Sequence, residues 1–225
     1  MMEKILFVVT GGEIGDLTFF QSKVDELQPF SIICADGGAG YLYEMGMIPD
    51  VIIGDMDSLC PETLNYFQER GSCIIRHPGA KDETDTQLAL DYAIGMAPDC
   101  VYIFGALGTR IDHALANLSL LISGAQKDIR ISLMDEWCEI FLIADTHVIE
   151  GEVGQTVSLL PFSPVVTGIT LKGFEYPLEN GAMEVGKPYG ISNRLTSTRG
   201  IISVCSGYLL AIRYFRKDIF PKGDV

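Results

Sequence analysis

The chain has 225 residues, 48% of them hydrophobic, and a formal net charge of −14. That length and apolar share allow one large domain or two modest ones with a true core, and they exclude a disordered chain. The charge excludes nucleic acid as a main partner, because phosphate backbones need a basic footprint, but it leaves room for a nucleotide held by backbone N–H groups, a few basic side chains and a metal.

The first apolar run, Ile5–Val9, is too short for a signal peptide or a membrane span. A cytoplasmic protein with no membrane partner is the expectation. The six cysteines, at 34, 60, 73, 100, 138 and 205, show no metal-clip or redox spacing. Cys34 and Cys100 sit in or beside apolar runs, so buried, reduced, inert thiols are expected.

In chain order, strands are expected at Ile5–Thr10, Ser31–Ala35, Val51–Gly54, Cys73–Arg76 and Cys100–Gly105. Each is a continuous apolar run, which suits a parallel sheet buried on both faces. Helical spacing lies between them, notably in Thr84–Ile94 and Asp112–Ser123. Alternating strands and helices predict an open α/β sheet. From about residue 128 the runs become alternating and closely spaced: Ile129–Met134, Glu139–Ala144, Thr146–Glu150, Thr156–Leu160, Gly168–Lys172 and Ile201–Tyr214. That pattern predicts an antiparallel β-sandwich. The expected boundary lies near Gly124–Asp128, giving an α/β domain at 1–126 and an all-β domain at 127–225. The tail Lys217–Val225 is polar and expected to fray.

In a parallel α/β sheet, ligands bind beyond the carboxyl ends of the strands. Those ends carry Thr10-Gly11-Gly12-Glu13, Asp36-Gly37-Gly38, Gly54-Asp55-Met56-Asp57-Ser58, Lys81-Asp82-Glu83-Thr84-Asp85 and Gly105-Ala106-Leu107-Gly108-Thr109-Arg110-Ile111-Asp112-His113. Glycines there let the backbone approach a ligand and turn its N–H groups inward. None of the runs matches the P-loop or the dinucleotide fingerprint, which disfavours a standard P-loop kinase and a standard dehydrogenase. In an extended segment Asp55 and Asp57 point the same way and can share one cation. Hard oxygen ligands with a phosphate substrate suit Mg2+. Alone, that pair also fits a solvated turn with an Asx hydrogen bond. Asp82 and Asp85 face the same side at the start of a helix, although Asp85 or Thr84 also fits a plain cap. A cluster of carboxylates at one edge calls for a cation. Arg110 is suited to phosphate oxygens by its fork, Asp112 to a helix cap, and His113 to a structural role. The run Tyr189-Gly190-Ile191-Ser192-Asn193-Arg194 reads as a hairpin turn.

Taken together these runs resemble the bacterial type of the thiamine pyrophosphokinase family. The resemblance spans nearly the whole chain. It rests on Asp36-Gly37-Gly38, on Pro49-Asp50 leading into Ile53–Ser58, on Lys81–Asp85, on Gly108–His113 with Asn117, and on Tyr176-Pro177-Leu178 followed by Gly190–Asn193. It implies an α/β nucleotide domain, a β-sandwich, and a homodimer with active sites between subunits. The implied reaction is ATP plus thiamine giving thiamine diphosphate plus AMP. Asp55, Asp57 and Asp85 are implied as Mg2+ ligands and catalytic residues. Asp85 and Asp112 are the candidates to take the hydroxyl proton. Gly11, Gly12, Asp36, Gly37, Gly38, Ser58, Lys81, Asp82, Thr84, Gly105, Leu107, Gly108 and Arg110 are implied on the ATP side. Ser192 and Asn193 are implied as thiamine contacts. Where some members stack an aromatic on the ring, this chain reads Tyr208-Leu209-Leu210, so an aliphatic contact from Leu210 is expected. The alternatives are another Mg-dependent nucleotide-using transferase and a non-catalytic nucleotide-binding regulator.

Overall fold

The structure is a computed structural model and describes residues 3–216. The tail expected to fray at Lys217–Val225 lies outside the described residues. The chain divides into two compact units, the first ending at Glu136 and the second beginning at Trp137.

The first unit has strands β1 (Ile5–Val9), β2 (Ser31–Ala35), β3 (Val51–Gly54), β4 (Cys73–Arg76), β5 (Cys100–Phe104) and β6 (Arg130–Met134). Its helices are α1 (Leu17–Leu27), the short α2 (Ala39–Glu44), α3 (Pro61–Glu69), α4 (Asp85–Gly95) and α5 (Ile111–Ala125). The strands run in the order β6-β5-β1-β2-β3-β4, and every pairing is parallel. β1, β2, β3 and β5 are buried along their whole length, which is why they read as unbroken apolar runs. The rings of Phe7 and Phe20 each lie 4.9 Å from Phe104, joining β1, α1 and β5.

The strand order explains where a site can form. From β1 the chain builds outward through β2, β3 and β4, then returns to place β5 on the other side of β1. The reversal opens a crevice at the carboxyl ends of β1 and β5.

β6 corrects the sequence reading. The run from Ile129 was expected to open the antiparallel domain, with the boundary at 126/127. Instead β6 pairs parallel with β5, in register from Cys100 opposite Arg130 to Phe104 opposite Met134. Ile131–Met134 is buried throughout, so it behaves as one more core strand of the α/β layer. Ten residues move from the second unit to the first.

The second unit has β7 (Cys138–Ile143), β8 (Thr146–Glu150), β9 (Thr156–Pro161), β10 (Val165–Lys172), β11 (Leu178–Glu184), β12 (Gly190–Arg194), β13 (Arg199–Ser203) and β14 (Leu209–Tyr214). They form two antiparallel four-stranded arrays, β12-β9-β14-β7 and β11-β10-β13-β8. Phe141, Val157, Leu159, Leu209 and Ala211 from the first meet Ile149, Val166, Ile169, Leu171 and Ile202 from the second in one core. This is the expected β-sandwich. The single run Ile201–Tyr214 is two strands, β13 and β14, and they belong to opposite sheets. The break falls at Cys205-Ser206-Gly207, where Gly207 has φ +88. β11 and β12 had no expected counterpart, because Gly181 and the polar Glu179, Asn180, Ser192 and Asn193 interrupt any apolar pattern.

All six cysteines are free; Cys34, Cys100 and Cys138 are buried, while Cys60, Cys73 and Cys205 are exposed. Burial pushes the Cys34 thiol up and the Cys100 thiol up to about 11, so both are inert at neutral pH. Burial and inertness therefore hold for the two cysteines singled out from sequence. No helix among the described residues is long and apolar enough to cross a membrane.

Candidate active site

The carboxyl ends of the parallel strands enclose a cleft of about 570 Å3, lined by residues from the loops after β1, β2, β3, β4 and β5. The loops after β1 and β5 touch directly. Thr10 donates its hydroxyl to the Gly105 carbonyl at 2.6 Å, and a methyl group on Gly12 would lie 2.1 Å from that same oxygen. Only glycine fits there. Gly11 and Gly37 pack against each other: a methyl group on Gly11 would lie 3.4 Å from Gly37 Cα. These glycines form the floor of the crevice.

Acidic side chains converge above this floor. Ligand oxygens of Asp36, Asp55 and Asp57 lie within 4.8 Å of one another. Asp36 is buried, Asp55 half-buried and Asp57 exposed. Burial raises the Asp36 pKa, the nearby Ser58 hydroxyl partly relieves it, and the charges of Asp85, Asp55 and Asp57 raise it further. Its Oδ1 is buried without a hydrogen-bond partner. A buried carboxylate oxygen with no hydrogen donor, beside two further carboxylates, is chemically suited to a cation. The donor set, three carboxylates and no nitrogen or sulfur, suits a hard divalent ion such as Mg2+.

The backbone explains how the trio forms. Asp36 has φ +38 and opens a short 3-10 turn through Gly38. Met56, between Asp55 and Asp57, has φ +67 and a buried side chain. Left-handed conformations at non-glycine residues cost roughly 1–3 kcal/mol each and persist where the surroundings enforce them. The segment is therefore not extended as the sequence reading assumed. It pivots at Met56, and Asp55 accepts a hydrogen bond from the Asp57 N–H at 3.2 Å. The Asx turn and the carboxylate cluster coexist.

Asp85 opens α4, the helix start expected for it. Thr84 caps α4, accepting from the Gln87 N–H at 3.1 Å, so Asp85 is not needed as the cap. Asp85 instead accepts from Lys81 Nζ at 2.5 Å, in a pair whose side chains are 12% and 29% exposed for Lys81 and Asp85. It stays close to the trio: a methyl group on Gly54 would lie 2.8 Å from Asp36 Cβ and 3.3 Å from Asp85 Cγ. Ser58, Lys81, Thr84, Asp85, Gly105, Gly108 and Arg110 line the cleft, with Gly11, Gly12, Asp36, Gly37 and Asp55. Gly38, Asp57, Asp82, Leu107 and Asp112 are not among the lining residues. Gly38 packs beneath the floor. Arg110 folds its fork onto Asp112 at 3.2 and 2.6 Å on the exposed first turn of α5. That bond holds the Asp112 carboxyl down to about 2, which makes it a weak proton acceptor.

The cleft also contains residues outside the expected ATP, metal and thiamine sets. A Cβ on Gly79 would sit 3.0 Å from Asp55 Oδ2, so Gly79 lets that carboxylate lie against the loop after β4. Its signal was Pro78-Gly79 just before Lys81. Asn117, buried on α5, donates to the Ala106 carbonyl at 3.0 Å and ties the loop after β5 to its helix. Glu13, Glu83, Thr86 and His113 also line it.

The catalytic-domain model of thiamin pyrophosphokinase matches residues 28–133, and the model of that family's vitamin B1 binding domain matches residues 146–209. The chain belongs to the thiamine pyrophosphokinase family. A thiamine pyrophosphokinase of Bacillus subtilis is 34% identical over 215 residues, which is 93% of this chain and 98% of that one. Thiamine pyrophosphokinase 1 of Oryza sativa is 29% identical, covering 76% of each chain. Among solved structures, the Bacillus subtilis thiamine pyrophosphokinase superposes with a TM-score of 0.83 at 33% identity, covering 95% of this chain and all of that one. The Geobacillus thermodenitrificans thiamin pyrophosphokinase does so with a TM-score of 0.81 at 30% identity, covering 96% and 100%. The acidic cleft falls within the part matched by the family's catalytic domain. Ser192 and Asn193 fall within the part matched by its vitamin B1 binding domain, and Leu210 just beyond it. Ser192 is exposed with φ +60, and its N–H bonds Ser158 Oγ at 3.0 Å. Leu209 and Ala211 point into the sandwich core, so Leu210 points to the opposite face of β14, where it is also buried.

Proposed function

We propose that this chain transfers a diphosphate group from ATP to the hydroxyl of thiamine, giving thiamine diphosphate and AMP, with Mg2+ held by Asp36, Asp55 and Asp57. One observation carries the metal assignment: the bare, buried Asp36 Oδ1 within reach of two further carboxylates at the strand-end crevice of this family's fold. Bound there, Mg2+ would neutralise charge building on the diphosphate in transfer. The protein's own groups do the rest. Lys81 supplies a fixed positive charge to phosphate oxygens, and Asp85 holds its ammonium in place. The glycine floor presents backbone N–H groups to the nucleotide. Asp85 lies in the cleft and Asp112 outside it, so Asp85 is the better placed of the two to take the hydroxyl proton. Transfer of this kind depends more on positioning and electrostatics than on a strong base.

Incubation with Mg-ATP and thiamine is expected to give AMP and thiamine diphosphate in equal amounts. Pyrophosphate or a nucleoside diphosphate as product would instead indicate another transferase. ATP binding without AMP release would indicate a regulator. A second result is expected without nucleotide: Mg2+ alone raises Tm, because a ligand at 100 times its Kd adds about 2.7 kcal/mol of stability. Asp57→Asn should abolish most of that shift.

Cytoplasmic location and a homodimer belong to the same proposal. The six free cysteines fit a reducing compartment. Ile111 and Leu115, one turn apart on α5, are 68% and 62% exposed and supply an apolar strip that a second copy would cover.

A further inference from the structure

The second unit holds a separate cleft of about 270 Å3 whose lining contains no charged side chain. Tyr176, Pro177, Leu178, Met183, Tyr189 and Ile191 form its walls. Tyr176, Tyr189 and Ile191 are 65%, 71% and 53% exposed and together border one cleft. Exposed tyrosine faces beside an uncharged cleft attract flat cationic rings by cation–π contact and stacking.

Asn193 also borders this cleft, yet its Oδ1 and one of its two Nδ2 hydrogens are already engaged with backbone. The register of β12 on β9 slips between Gly190, opposite Leu159, and Asn193, opposite Val157. This bulge leaves Ile191 and Ser192 outward and turns Asn193 inward, where it is 4% exposed. Asn193 Oδ1 accepts from the Tyr176 N–H at 3.0 Å and from the Arg194 N–H at 2.9 Å. Its Nδ2 donates to the Tyr176 carbonyl at 2.9 Å. Both Oδ1 lone pairs are used. Next to this clamp, Glu175 N–H donates to the Arg194 carbonyl at 2.8 Å, and Phe174 bridges Leu195. The side chain therefore adds one rung to that short ladder and anchors the backbone under an otherwise exposed ring.

We propose that Asn193 is a positioning residue and not a thiamine contact: by pinning Tyr176 it fixes one wall of the uncharged cleft, which takes the cationic heteroaromatic end of the substrate. This rests on the reading that the substrate is thiamine, whose thiazolium is such a ring.

Steady-state kinetics of Asn193→Ala, Tyr176→Ala and the double variant test it. Each single variant is expected to raise the thiamine KM about tenfold, the scale of one lost anchoring contact. KM for ATP and kcat at saturating thiamine should stay within about twofold of wild type. The double variant should be no worse than the worse single, because Asn193 acts through Tyr176. Additive effects would overturn the proposal and make Asn193 a direct contact. An unchanged thiamine KM in Tyr176→Ala would overturn it even if Asn193→Ala did not fold, since that ring is exposed and its loss leaves the core intact. A wild-type chain that turns over no thiamine would overturn both this proposal and the functional reading. Normal wild-type turnover with unmoved variant KM values would overturn this proposal alone.

Discussion

Asp57→Asn and Asp55→Asn should each lower kcat by about a thousandfold or more while leaving the fold at least as stable without metal. The two effects have one cause. The trio Asp36, Asp55 and Asp57 brings three ligand oxygens within 4.8 Å. At such separations a pair of like charges repels by about 1–4 kcal/mol, depending on the local dielectric. Asparagine keeps the shape and removes a charge, so the folded state without cation is relieved. The same change removes a hard anionic ligand, and electrostatic stabilisation by a bound cation is often the largest single contribution to transfer of this kind. Lost activity with retained or raised Tm therefore separates a metal ligand from a structural residue. Asp112→Asn is the control. Its carboxyl sits on the exposed turn with Arg110, outside the cleft lining, and turnover should fall less than tenfold. Turnover and its Mg2+ dependence, measured with thermal melts of the same samples, decide the matter. Normal turnover of Asp57→Asn with unaltered Mg2+ dependence would remove Asp57 from the site.

Gly38→Ala should destabilise the first unit by about 3 kcal/mol or more, whereas Gly40→Ala should leave it unchanged or up to about 1 kcal/mol more stable. A methyl group on Gly38 would lie 2.1 Å from the Val9 carbonyl oxygen, 2.6 Å from its carbon and 2.9 Å from the Thr10 carbonyl carbon. All three are backbone atoms at the end of β1, which is hydrogen-bonded on both sides, to β2 and to β5. No side chain can swing away, so the strand or the 3-10 turn must move. That movement would also carry Asp36, the first residue of the turn. Two residues on, a methyl group on Gly40 meets nothing within 4 Å, and Gly40 lies inside α2, where alanine is the better helix former. Thermal unfolding of the two variants should show opposite signs, with a drop of about 6–12 °C for Gly38→Ala. Equal melting temperatures would mean that the contact between the turn and β1 is looser than its geometry.

The pair of glycines also shows how much of the site was legible beforehand. The family resemblance places Gly38 among several strand-end glycines on the ATP side. Its position at the strand end was right, but its contact is with β1 and not with the cleft. Asp85 was similar. Its place at the start of a helix, in the same edge as Asp55, was evident from the run Lys81–Asp85. That Thr84 takes the cap and Lys81 takes the carboxylate depends on rotamers and backbone angles that spacing does not encode. Asp36 entered as a nucleotide contact and is the most buried member of the carboxylate trio, because φ +38 turns it inward.

The sequence by itself determined the first five strands of the α/β layer, the change to antiparallel grammar, and the set of strand-end loops that line the cleft. Continuous apolar runs must be buried on both faces, and glycine and aspartate at their ends form turns and open backbone; these are local properties of the chain. Tertiary structure alone decided that β6 joins the parallel layer and that the run at 201–214 divides between two sheets. It also decided that the Asp55–Asp57 segment pivots at Met56 and that the bulge in β12 turns Asn193 toward Tyr176. Each of these depends on which distant backbone lies alongside, and hydrogen-bond partners far apart in sequence leave no periodic trace in it.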